Sequence, residues 1–186
     1  MKNITTLLPM LILSVATYAQ DKVQFGLKAG INSSVLNSNI ESATLSSRQS
    51  FYAGGMALFT LSKSFAIQSE LLYSGEGTKT NVVEMELNYI RVPVLFQYRH
   101  SSGFHVEAGP QLGVMVKNKL TVLDQEEEID ADEQLSRASA AIAIGCGYRM
   151  KNGLGLDIRY AKGIDNPIAA QNAKLVVISG GLSFTF

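Results

Sequence analysis

The chain has 186 residues, 16 basic and 16 acidic side chains, a formal net charge of zero and one cysteine. That length suits a single domain, the even charge gives no reason to expect nucleic acid, which requires a basic face, and a lone Cys146 excludes an internal disulfide. A chain of this kind outside the cell has to rely on hydrogen bonding and burial alone.

Residues 1–19 read as a secretory signal peptide: Lys2 and Asn3, an apolar run over 4–15, then Ala16, Thr17, Tyr18 and Ala19 before Gln20. The run is shorter than the roughly 20 apolar residues of a spanning helix, and Pro9 interrupts it. Cleavage is expected after Ala19, leaving residues 20–186 as one mature domain. Removing Lys2 leaves 15 basic against 16 acidic residues, a net of −1. No later segment resembles a spanning helix, so the mature chain is either soluble after export or crosses a membrane as a barrel.

From Val23 onward the apolar period is two, the spacing of strands with one apolar face. Val23, Phe25, Leu27, Ala29 and Ile31 alternate with Gln24, Gly26, Lys28, Gly30 and Asn32. Residues 51–61 are apolar on both faces, so a strand is expected there without an assigned outward side. Ile67, Leu71 and Tyr73 alternate with Gln68, Glu70 and Ser74, and Ile90 to Tyr98 with Arg91, Pro93, Gln97 and Arg99. The same pattern repeats in Val106 to Val116 against His105, Glu107 and Gln111, in Ile142 to Tyr148 against Gly145, Gly147 and Arg149, and in Leu154 to Tyr160 against Asp157 and Arg159. Leu182, Phe184 and Phe186 form the eighth strand.

Connections between these strands alternate in length. Those at 62–64, 100–103 and 151–153 are short, the last carrying the Asn152-Gly153 pair of a tight hairpin. Those at 33–50, 76–86, 117–137 and 161–173 are long. Outer-membrane barrels have short periplasmic turns and long external loops, and a terminal aromatic such as Phe186 suits their interfacial girdle. The expectation is therefore an all-β, eight-stranded, antiparallel up-and-down transmembrane barrel in the cell outer membrane, preceded by a signal peptide, with both termini periplasmic.

If the apolar set faces lipid, Lys28, Gln68, Glu70, Arg91, Glu107, Arg149, Asp157 and Arg159 fall inside, because Lys or Arg on the lipid face near the midplane costs about 2–4 kcal/mol. Glu70 and Arg91 are expected to oppose each other across adjacent strands. Eight strands enclose little more than their own side chains, so this polar network reads as a plug before it reads as a selective path. Asp124, Glu126, Glu127, Glu128, Asp130, Asp132 and Glu133 make the third long loop acidic. Such a run can hold a divalent cation, yet it lacks the glycine of a calcium-binding loop and reads first as solvated. His105 and Glu107 share the inward face, but no Gly-x-Ser-x-Gly elbow accompanies them, so no enzymatic activity, cofactor or metal is expected.

The segments Gly26-Leu27-Lys28-Ala29-Gly30, Gln68-Ser69-Glu70-Leu71-Leu72-Tyr73-Ser74, Leu87-Asn88-Tyr89-Ile90-Arg91-Val92-Pro93-Val94 and Glu107-Ala108-Gly109-Pro110-Gln111 occur in that order, followed by Arg159-Tyr160, Gly163 and the terminal Phe186. With the Ala19-Gln20 start, this series resembles the small outer-membrane β-barrel proteins of Bacteroidetes, the porin-family or PorT-like barrels. The resemblance spans the mature chain and implies the barrel and the outer membrane. PorT-like members are associated with a secretion and gliding machinery, a role that no residue here singles out.

The leading functional expectation is an envelope or interaction barrel, with outer-membrane lipid as its surroundings and lipopolysaccharide or an envelope protein as further partners. A small-solute channel is the alternative. A periplasmic, lipocalin-like ligand-binding barrel is the third reading, and the charged inner face argues against it.

Overall fold

A computed structural model describes residues 23–38, 46–79, 83–122, 127–129, 137–165 and 173–186. The proposed signal peptide, residues 1–19, lies outside them. The strands are β1 (Val23–Ser38), β2 (Ser46–Thr60), β3 (Phe65–Lys79), β4 (Val83–Arg99), β5 (Phe104–Val122), β6 (Glu127–Ile129), β7 (Ala138–Arg149), β8 (Leu154–Gly163) and β9 (Ala173–Thr185). No helix occurs among the described residues.

Every neighbour is antiparallel, and the sheet closes on itself. β1 pairs with β2 on one side and with β9 on the other, running from Gly26 opposite Thr185 to Ser38 opposite Ala173. The β4–β5 and β5–β7 pairings complete the ring, so eight strands form the wall and, among the described residues, no long edge is left unpaired. β6 is a three-residue addition on the far end of β5 and takes no part in closure.

Alternation dictates the two faces. Leu27, Ile31, Leu71, Leu112, Ile144 and Ile158 point outward and are exposed, Ile158 at 63%, whereas Glu70, on the opposite phase, is 2% exposed. β2 resolves in the same way: Phe51, Ala53 and Phe59 face out, and Tyr52, Met56 and Leu58 face in. The inner face of β2 is apolar too, which is why its sequence did not separate the sides. Aromatics gather at one end of the outward band, where Phe65 lies 5.4 Å from Phe96 and 5.5 Å from Tyr98.

That aromatic end also carries the short turns. Gly103 (φ 102°) and Gly153 (φ 89°) adopt left-handed backbone that L side chains rarely take, and each amide closes its turn on the carbonyl of His100 or Met150. At the opposite end the strands run further than their sequence suggested. β1 to β5 extend into what read as long loops, reaching Ser38, Ser46, Lys79, Val83 and Val122. About 9–11 residues cross a bilayer as a tilted strand; the 15 to 19 residues of β1 to β5 therefore project beyond it.

Over this projecting part the wall turns over. Leu36, Leu87, Tyr89, Met115, Leu175 and Val177 pack inside as one apolar cluster, while Gln49, Lys117, Lys162 and Lys174 are exposed. The cluster keeps the inward phase of the strands below it, and an irregularity at Asn88 and Tyr89 shifts the β4–β5 register so that Lys117 of β5 points outward. Above the lipid, water is the outer solvent, so an apolar interior and polar exterior become the favourable arrangement.

Candidate functional site

Among the described residues, charged side chains converge under burial in the barrel interior. Arg159 on β8 lies at its centre. Nη1 and Nη2 donate to the two carboxylate oxygens of Glu70 at 2.7 Å each, and Nε and Nη2 reach Glu107 at 2.9 and 2.7 Å. Lys28 bridges Glu70 at 3.3 Å and contacts Asp157. The amide of Gln97 joins Gln68 to Glu107 at 3.0 and 2.8 Å, and Gln68 donates to Glu70 at 2.5 Å. Of the sequence-chosen lumen residues, Lys28, Gln68, Glu70, Glu107, Asp157 and Arg159 thus form one cluster, which Arg149 joins through a 3.1 Å bond from Nη2 to Gln68.

Arg91 does not meet Glu70. The β3–β4 register sets Leu72 opposite Arg91. Arg91 instead forks onto Glu76 at 2.9 and 2.5 Å, donates to Ser139 at 2.8 Å and lies 3.9 Å above the Tyr89 ring. The expected facing pair placed the hairpin centre too early: the ladder continues to Lys79 opposite Glu84, so Glu76 belongs to the wall and not to a loop. Glu76 was missed in the sequence, though it continues the inward phase of Glu70, Leu72 and Ser74.

Glycines on the inward face make room for these groups. A Cβ on Gly113 would lie 2.6 Å from Arg91 Nη1, and one on Gly147 would lie 2.7 Å from the buried His105 ring. With the space so filled, voids of about 20 and 10 Å³ lie against the network, each about the room that one water needs. Such a cluster orders the interior and holds opposite charges together. Among the described residues no group of three or more His, Cys, Asp or Glu is placed to hold a metal ion.

Among the described residues the two mouths differ in charge. At the projecting end, Arg48 donates to Glu84 at 3.0 Å and contacts Glu86 at 3.1 Å, and Lys79 lies 3.4 Å from Glu84. Burial acts to raise the Glu84 carboxyl, and the hydrogen bonds from Arg48 and Lys79 outweigh it, holding it below the usual carboxylate range. Of the acidic run, Asp124, Glu126, Asp130, Asp132 and Glu133 lie outside the described residues, while Glu127 and Glu128 supply backbone to β6. The turn end opens instead into a cavity of about 590 Å³ lined by Lys63, Arg99, His100, Arg149 and Lys151 among others.

Comparison with known proteins gives the same architecture. Ail, the attachment invasion locus protein of Yersinia pestis, matches with a TM-score of 0.57 at 12% identity, covering 89% of this chain and 99% of that one. A structure of Ail in complex with the heparin analogue sucrose octasulfate matches with a TM-score of 0.52, also at 12% identity, with 89% and 99% covered. Neisserial surface protein A matches with a TM-score of 0.59 at 14% identity, covering 87% of this chain and 97% of its own. At these identities the likeness is one of fold. Among curated protein sequences none matches. The family model described as outer membrane protein beta-barrel domain matches residues 18–168, so the chain belongs to that family and is a barrel embedded in the lipid of the outer membrane.

Proposed function

We propose that this barrel is a non-enzymatic envelope protein whose lumen is plugged by its own side chains and whose projecting strands and acidic 124–133 segment contact partners outside the cell. The observation that carries the reading is the Arg159, Glu70, Glu107 and Lys28 network, which joins β1, β3, β5 and β8 across the interior, with voids of about 20 and 10 Å³ against it among the described residues. A solute path would require these charges to separate, and breaking a buried pair costs several kcal/mol.

On this reading the signal peptide of residues 1–19 is removed, the turn end and both termini face the periplasm, and the projecting end meets the outside. The exposed lysines Lys117, Lys162 and Lys174 border the apolar band there, a position suited to the phosphates of lipopolysaccharide. Ail's complex with a heparin analogue supports an interaction role for such a barrel, and the ordered motifs support a place among the Bacteroidetes PorT-like barrels.

Single-channel recording of the refolded protein in planar bilayers tests the plug. Silence is the expected result. Stable, reproducible conductance that changes with Glu70→Gln would overturn the plug in favour of a channel.

A further inference from the structure

The turn-end cavity is a second charged region that the plug does not explain. It is lined by Lys63, Arg99, Arg149 and Lys151, with no carboxylate among the described residues of its lining. The acids of the interior are committed elsewhere: Glu70 and Glu107 to Arg159, and Asp157 to Lys28. Arg149 is the unusual member. Its Nη2 reaches the neutral Gln68 at 3.1 Å, whereas its Nε and Nη1 are buried without a hydrogen-bond partner.

We propose that this vestibule binds a phosphate-bearing anion. Buried guanidinium nitrogens without partners carry a desolvation cost; Arg149 lines the cavity, so a turn of its side chain toward it lets an oxyanion recover that cost, and a guanidinium offers parallel N–H groups in the geometry that phosphate oxygens accept. Two arginines and two lysines around one cavity match the charge of a doubly ionised phosphate better than that of a single carboxylate. Lys63 and Lys151 stand on the turns and can close over an anion seated against Arg99 and Arg149. On the orientation proposed above the site opens to the periplasm, but anion binding requires neither that orientation nor a silent lumen. Two sources share the chemistry, a free phosphate compound and the headgroup of a neighbouring phospholipid.

The test is calorimetric titration of the folded mature protein, in a neutral detergent, with inorganic phosphate and then pyrophosphate. Saturable binding is expected, weakened about tenfold in Arg149→Gln and also in the Lys63→Gln/Lys151→Gln double variant, whose changes lie on exposed turns and leave the barrel folded. Lys174→Gln, at the other end, should leave affinity unchanged. Repeating the titration in phosphatidylcholine vesicles with and without phosphatidylglycerol separates the sources: competition by the added lipid assigns the site to a headgroup, and its absence assigns it to a soluble anion. No saturable binding at millimolar phosphate, or equal weakening by Lys174→Gln, overturns the proposal.

Discussion

Arg159 of β8 and Glu70 of β3 meet through two parallel hydrogen bonds of 2.7 Å although 89 residues separate them, and both side chains are buried. Such a fork can form only after the barrel has closed, because β3 and β8 are not neighbours in the wall. Glu70→Gln leaves Arg159 with Glu107 as its one remaining carboxylate, and Arg159→Gln leaves Glu107 buried without its guanidinium partner, so each is expected to cost about 3–5 kcal/mol. The double variant removes both charges and should cost clearly less than the sum. Urea-induced unfolding of the refolded barrel measures this, and strict additivity would show that the two side chains act independently.

The lipid face offers an independent check. Ile158 lies on the outward face of β8, and Gln49 lies beyond the apolar band on β2. Ile158→Arg should lower unfolding free energy by about 2–4 kcal/mol if the residue sits near the midplane, and Gln49→Arg by no more than about 1 kcal/mol. Equal costs at the two sites would contradict the assigned position of the bilayer.

These examples show which features the sequence made legible. Period-two alternation exposes which side chains share a face, and the short turns around Gly103 and Gly153 mark strand ends; both are local signals. Register is not local. Symmetry about a supposed loop sets Arg91 opposite Glu70, yet the ladder continues past Gly75 and Gly77 and brings Glu76 to Arg91. The face of β2 was hidden for another reason: Tyr52, Met56 and Leu58 face inward where other strands carry charge. The turned-over wall near Leu87 was illegible because it depends on where the lipid ends, which composition does not reveal.

At the projecting rim, Glu84 supplies a pH dependence. Its folded carboxyl is held below the usual range by Arg48 and Lys79, so the stability it contributes is present above its unfolded value of about 4.3 and is lost as pH falls through the lower folded value. The pair is partly solvated, so the contribution is about 0–1 kcal/mol. Carbon-13 titration of the Glu84 carboxyl should give a midpoint below that of a free glutamate, moving upward in Arg48→Gln. An ordinary midpoint that ignores Arg48 would remove the rim ion pair from the account.

The inner apolar cluster at the same end behaves as a small core of its own. Leu87 is fully buried there and packs with Leu36, Tyr89, Met115, Leu175 and Val177, whereas the barrel below is held by ion pairs inside and by lipid outside. Leu87→Ala should cost about 2–5 kcal/mol of local stability through lost burial and the cavity left behind. Because this cluster joins only the projecting ends of β1, β4, β5 and β9, the loss should appear as local opening and not as global unfolding. Hydrogen exchange is expected to quicken at Leu36, Leu87 and Leu175 while amides near Glu70 and Arg159 stay protected, with heat-modifiable migration on gels retained. Uniform loss of protection down to Glu70 would mean that the rim and the membrane-spanning wall fold as one unit.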